Sequence, residues 1–131
     1  MELSTYSLSH LALRVSDLAR ARSFYVDTLR FRMLRETQTA VFLDAHGLLI
    51  ALLGPAEQTD TADRFNPFRV GLDHLALAIA DAGELDGLLE HLDASGVPNH
   101  GIEQDPASGA TYISFYDPDG IAWELYALPP R

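Results

Sequence analysis

The chain contains no cysteine and no lysine. Without cysteine, disulfide cross-links, thiolate metal sites and cysteine nucleophiles are excluded. No apolar run approaches the roughly 18 residues that a membrane-spanning helix needs. Met1-Glu2-Leu3-Ser4-Thr5 lacks the basic start and apolar stretch of a secretory signal, so the expected location is cytoplasmic. Positive charge is scarce: 9 Arg stand against 19 Asp and Glu, for a formal net charge of −10. Residues 71–130 hold eleven acids and no Lys or Arg at all. Such a surface repels phosphate backbones and anionic lipid, which argues against nucleic-acid and membrane partners. Solubility accounts for most of these acids. With 131 residues, 47% of them hydrophobic, the chain suits one compact unit or two half-domains sharing a core.

An internal repeat supplies the organisation. Residues 10–17 read His-Leu-Ala-Leu-Arg-Val-Ser-Asp, and residues 74–81 read His-Leu-Ala-Leu-Ala-Ile-Ala-Asp. Phe42-Leu43-Asp44-Ala45-His46-Gly47 is echoed by Phe115-Tyr116-Asp117-Pro118-Asp119-Gly120. Two copies follow, near 6–53 and 71–128, within modules bounded at 1–53 and 71–131 and joined by a Gly- and Pro-containing linker, 54–70. Each opens with an alternating strand, 8–16 or 72–80, that puts Leu11, Leu13 and Val15, or Leu75, Leu77 and Ile79, on one face. A helix comes next. Leu18, Ala21, Tyr25 and Leu29 form the first stripe; Leu85, Leu88, Leu89 and Leu92 form the second, after an Asp81 cap with Glu84 three residues on. Strands near 32–37, 39–44 and 48–53, then 99–104, 110–116 and 121–128, complete the copies. The predicted class is therefore α+β, with a βαβββ pattern in each module.

Alternation also selects candidate chemistry. His10, Ala12 and Arg14 point away from the Leu-rich face of their strand, as do His74, Ala76 and Ala78 in the second copy. On the last strand Ala122, Glu124 and Tyr126 share one side. A carboxylate within Ile-Ala-Trp-Glu-Leu-Tyr costs several kcal/mol if it is buried, ionised and unpaired. It needs water or a cation, and no base stands nearby in sequence. His10, His74 and Glu124 on one predicted surface make a donor set for one divalent cation, with positions left for substrate. Singly, each has a plainer reading: a solvated carboxylate and two histidines closing hydrogen bonds at strand ends. His100, in a Gly- and Pro-flanked segment, is a candidate general acid or base. Arg14, Ala51, Tyr112 and Tyr126 are candidate pocket residues, with Tyr126 the one tyrosine of matching parity to Glu124. His46 in a turn and His91 beside a helical stripe read as structural.

The segments Leu8–Asp17, Ser23–Phe31, Leu72–Leu77 and Asp117–Tyr126 together resemble the glyoxalase, bleomycin-resistance and extradiol-dioxygenase group, the vicinal oxygen chelate superfamily. The resemblance implies two βαβββ modules whose curved sheets form a cup-shaped, partly closed mixed sheet around a metal. It maps ligands onto His10, His74 and Glu124, and implies one Fe, Mn, Zn or Ni ion. Aligning Gly47 with Gly120 places Ala51 opposite Glu124, so the first copy lacks a carboxylate that glyoxalase I enzymes use. A His, His, Glu set is similar to that of fosfomycin-modifying thiol transferases and extradiol dioxygenases. The second copy lacks the bases of the former before Arg131, and the extra His and Tyr of the latter are not at matching offsets. Arg30 stands where the family usually has Gly.

The implied activity is a metal-dependent lyase or isomerase, dioxygenase or thiol transferase that chelates a small oxygen-bearing substrate. The alternative is a drug- or small-molecule-binding protein without catalysis. The implied assembly is a homodimer, with the modules paired within a chain or exchanged between chains.

Overall fold

A computed structural model describes residues 7–129. The packing divides the chain into two compact units between Asp63 and Arg64. Arg64 to Val70, which the sequence reading assigns to the linker, therefore groups with the second unit. The Phe65 N–H donates to the Asp119 carbonyl at 2.9 Å.

Unit one contains β1 (His10–Arg14), α1 (Leu18–Arg22), β2 (Arg32–Glu36), β3 (Ala40–Ala45) and β4 (Leu48–Leu53). Its sheet runs β1-β4-β3-β2, with β1 parallel to β4 and the other pairs antiparallel. The parallel pair arises because α1 carries the chain across before the three-strand meander. Val15, Val41, Leu43, Ile50 and Leu52 are buried, as the alternation predicts. The helix is the main departure from the expected pattern. Asp17 caps α1 by accepting from the Arg20 N–H, but from Ser23 to Thr28 the winding widens to a π-helix. The wider turn turns both Phe24 and Tyr25 inward, where a regular helical stripe would have placed Tyr25 alone. Arg30 then takes φ of 63°, the left-handed conformation that favours glycine.

Unit two repeats the plan with β5 (Leu75–Ala78), α2 (Leu85–Ala94), β6 (Asn99–Gln104), β7 (Thr111–Tyr116) and β8 (Ala122–Ala127), in the order β5-β8-β7-β6. Asp81 caps as expected, accepting from the Gly83 N–H, but it opens a short 3-10 turn that runs into α2. Leu85 and Leu92 are buried against a sheet face built from Ile113, Phe115 and Trp123. The Phe115 and Trp123 rings stack with centroids 6.5 Å apart. Asp117 is also buried, with one carboxylate oxygen accepting from the N–H groups of Asp119 and Ile121. These bonds shape the turn that delivers β8 to the sheet. Each module is thus the expected βαβββ unit, built on a four-stranded mixed sheet. Among the described residues no helix is long and apolar enough to cross a membrane.

Candidate functional site

The register of the second sheet places its polar face. Ala76 pairs with Glu124, Ala78 with Tyr126, Ser114 with Glu124, Tyr112 with Tyr126, and Tyr116 with Ala122. All of these residues lie opposite the face that packs under α2. His74, just before β5, brings Nε2 to 3.0 Å from Glu124 Oε1, while its Nδ1 lies 2.7 Å from Asp73 Oδ1. Ionised carboxylates only accept, so Nδ1 donates to Asp73 and, in the imidazolium form, Nε2 donates to Glu124. Asp73 thereby orients the ring and leaves Nε2 as the atom directed at Glu124. The hydrogen bond to Asp73 holds the His74 pKa above its ordinary value; desolvation opposes, and the charges of Glu124 and Asp73 add to the rise. Glu124 is largely covered, its side chain 16% exposed against 43% for His74.

Unit one carries the matching arrangement. His10 opens β1, and Ser9 Oγ lies 3.0 Å from its Nδ1. In both repeats the residue immediately before the histidine engages Nδ1. His10, Ala12, Phe42, Leu49, Ala51 and Leu53 line a hollow of about 340 Å³ on this sheet face. Ala51 is buried and pairs with Ala12 and Phe42. Arg14 donates through Nη1 to the Gly54 carbonyl at 2.7 Å, which ties the end of β1 to the chain leaving β4.

The tyrosines are arranged differently from expectation. Tyr126 is not alone in sharing the Glu124 face: β7 pairing puts Tyr112 and Tyr116 there too. Sequence alternation within β8 could not register β7 against it. Tyr112 and Tyr126 stack with centroids 5.7 Å apart. The Tyr126 hydroxyl donates to Asp105 Oδ2 at 2.8 Å and lies 2.7 Å from Ser108 Oγ, tying down the loop between β6 and β7. Burial, followed by the charges of Glu103, Glu124 and Asp105, raises the Tyr112 pKa. Hydrogen bonds from Tyr126, from the Ala107 N–H and from Ser108 lower that of Asp105. His100 is exposed on β6, its Nε2 2.7 Å from the Tyr116 hydroxyl. Asp73, Ser9, Ser114 and Asp105 were not singled out from sequence, whereas Tyr116 was a candidate there as a donor to a bound oxyanion. The polar residue before each repeat histidine was the available signal for the first two.

The donor chemistry of the His74 and Glu124 pair suits a divalent cation. Nε2 and Oε1 lie 3.0 Å apart as an ion pair, and imidazole nitrogen and carboxylate oxygen are both donor types that a divalent cation would take. Among the described residues, no group of three or more His, Asp or Glu side chains converges on one point. The pair is what the second unit by itself offers.

A family model for the glyoxalase/bleomycin resistance protein/dioxygenase superfamily matches residues 7–125. The chain belongs to this superfamily. Among superfamily relatives, the uncharacterized protein YwkD of Bacillus subtilis is 31% identical over 127 residues, covering 92% of this chain and 95% of that protein. A metallothiol transferase, FosB of Staphylococcus saprophyticus, is 28% identical over 120 residues, covering 92% and 76%. The crystal structure of a glyoxylase/bleomycin resistance protein/dioxygenase domain from Frankia superposes with a TM-score of 0.80 at 28% identity, covering 96% of this chain and all of that one.

Proposed function

We propose that the protein is a metal-dependent enzyme that chelates a small oxygen-bearing substrate on one divalent ion held by His74 and Glu124. His10, at the equivalent position of the first repeat, is the third protein ligand in this reading. The observation that carries it is the His74 and Glu124 pair, with Asp73 fixing the imidazole so that Nε2 serves as donor. The existence of a metallothiol transferase relative supports it. When bound, such an ion supplies Lewis acidity toward the substrate oxygens.

The remaining work falls to the protein. Ala76, Ala78 and Ala122 keep the face beside Glu124 low, which leaves volume for the substrate. Ser114 pairs directly across from Glu124 on this face. The stacked Tyr112 and Tyr126 wall one side, and Asp105 with Ser108 holds that wall in place. With no Lys or Arg between residues 71 and 130, this face disfavours a phosphonate and favours a neutral or cationic substrate. The stacked tyrosines and nearby carboxylates equally support a second reading, capture of a cationic aromatic compound without catalysis.

Metal analysis separates the two. The enzyme reading predicts one divalent ion per chain in wild type and loss of that ion in His74→Ala and Glu124→Ala, with circular dichroism unchanged. Undiminished metal in both variants would remove the ligand assignment. A metal-free wild type that binds aromatic cations would favour capture.

A further inference from the structure

We propose that the hollow on the sheet face of unit one binds a small monocarboxylate with an apolar body, and that Arg35 selects its charge. The proposal goes beyond the metal reading above, and it is tested with metal removed so that the two can fail separately.

The register of the first sheet carries it. Three rows of residues cross the face that turns away from α1. His10, Leu49, Asp44 and Arg32 form one row; Ala12, Ala51, Phe42 and Arg35 form the next; Arg14, Leu53 and Ala40 form the third. The hollow of about 340 Å³ is centred on the middle row, where Ala12 and Ala51 leave the space and Phe42 supplies an aromatic ring. Ligand pockets span roughly 300–1,000 Å³, so this one suits a single ring or a short chain. Arg35 pairs with Phe42 and ends that row on the edge strand β2.

Arg35 stands on this face because β2 carries a bulge. Met33 pairs with Leu43, which is fully buried on the α1 side, and plain alternation would send Arg35 to that side too. Instead Leu34 is an extra residue, Arg35 pairs with Phe42, and Glu36 pairs with the buried Val41. Glu36 then forms an ion pair with Arg22 of α1. The bulge thus sends the acid to the helix face and the base to the hollow face.

Charge selects the occupant. Three arginines and one aspartate lie on this face of a chain whose net charge is −10. Arg32 is paired with Asp44 at 3.2 Å, and Arg14 donates to the Gly54 carbonyl at 2.7 Å. The exposed Arg35 guanidinium has no such partner among the described residues. A guanidinium grips a carboxylate through two parallel N–H···O bonds. One free guanidinium matches one negative charge, and the acidic remainder of the chain disfavours a dianion. The sheet of unit two, without Lys or Arg, has no counterpart.

NMR titration of EDTA-treated protein at pH 8, above the ordinary histidine range, tests the proposal with three probes of one shape. These are phenylacetate, its neutral isostere phenylacetamide, and the cation phenethylamine. Phenylacetate should bind about tenfold more tightly than phenylacetamide, with amide shifts centred on Ala12, Phe42 and Ala51, and phenethylamine should bind more weakly than either. Arg35→Gln should weaken phenylacetate about tenfold, the loss of hydrogen bonding to a charged group, and leave phenylacetamide unchanged. Ala12→Leu, which fills the hollow from an exposed position, should abolish binding of both. The same spectra show that each variant is folded. Equal affinity for acid and amide, undiminished phenylacetate binding in Arg35→Gln, shifts centred elsewhere, or no binding of any probe would overturn the proposal. Failure of wild type to take up Zn²⁺, by contrast, overturns the metal reading and leaves this one standing.

Discussion

At the scale of single residues, both carboxylate partners of His74 favour its protonated form, whereas a metal ion needs the neutral ring. In the metal-free protein, Asp73 and Glu124 both stabilise the imidazolium, and the His74 pKa is raised above its ordinary 6.5. A raised folded-state pKa contributes stability that is fully present below the unfolded value and is lost as pH rises through the folded one. The melting temperature of metal-free wild type should therefore fall, relative to Asp73→Asn, as pH increases upward from about 6.5. Metal binding reverses the sign, because Nε2 must be deprotonated to act as a ligand. Metal affinity should rise over the same interval, and thermal melts with and without Mn²⁺ would show both trends. Matching pH profiles for the two proteins would remove Asp73 from the account. Arg30 supplies a second residue-level test. Its φ of 63° strains any side-chain-bearing residue, so Arg30→Gly should stabilise the fold by about 1 kcal/mol in urea unfolding. A loss of stability would mean that the Arg30 side chain contributes more than its backbone costs.

At the scale of elements, much was legible because strand alternation and hairpin turns are local signals. The β4 span coincides with the expected 48–53 and β6 with 99–104. What escaped depends on partners distant in sequence. The π-helical winding of Ser23–Thr28 lets Phe24 and Tyr25 both bury, a choice made by the sheet beneath. The bulge at His100 and Gly101 appears only when β6 is registered against β7. The same limit hid Tyr112 and Tyr116 from the Glu124 face. His74 and Glu124, which the structure brings together, could be picked out because the repeat doubles the histidine and because an acid interrupts an apolar strand. Trp123, on the opposite face of β8 from Glu124, is fully buried against Phe115. Trp123→Ala should therefore cost about 3–5 kcal/mol in denaturant unfolding, since the cavity forms within a packed sheet and helix layer. A cost below 1 kcal/mol would show that the β8 core face is not what holds unit two together.

At the scale of the whole molecule, repetition sets the expectations. The duplicated βαβββ unit places one histidine near the start of each copy, while the carboxylate of the second copy, Glu124, has Ala51 as its counterpart in the first. The edge strands β1 and β5 each leave one side unpaired within their own sheets, which favours association with a further copy. We propose a homodimer, and sedimentation should give twice the mass of the 14.4 kDa chain. A monomer at micromolar concentration would contradict it.

In the proposed site, two imidazoles and one carboxylate would hold the divalent ion. X-ray absorption spectroscopy of protein loaded with one equivalent of Zn²⁺ counts imidazole ligands directly. Two imidazoles in wild type, falling to one in His10→Ala and one in His74→Ala, is the predicted result. A single imidazole in wild type, or two in either variant, would contradict the account.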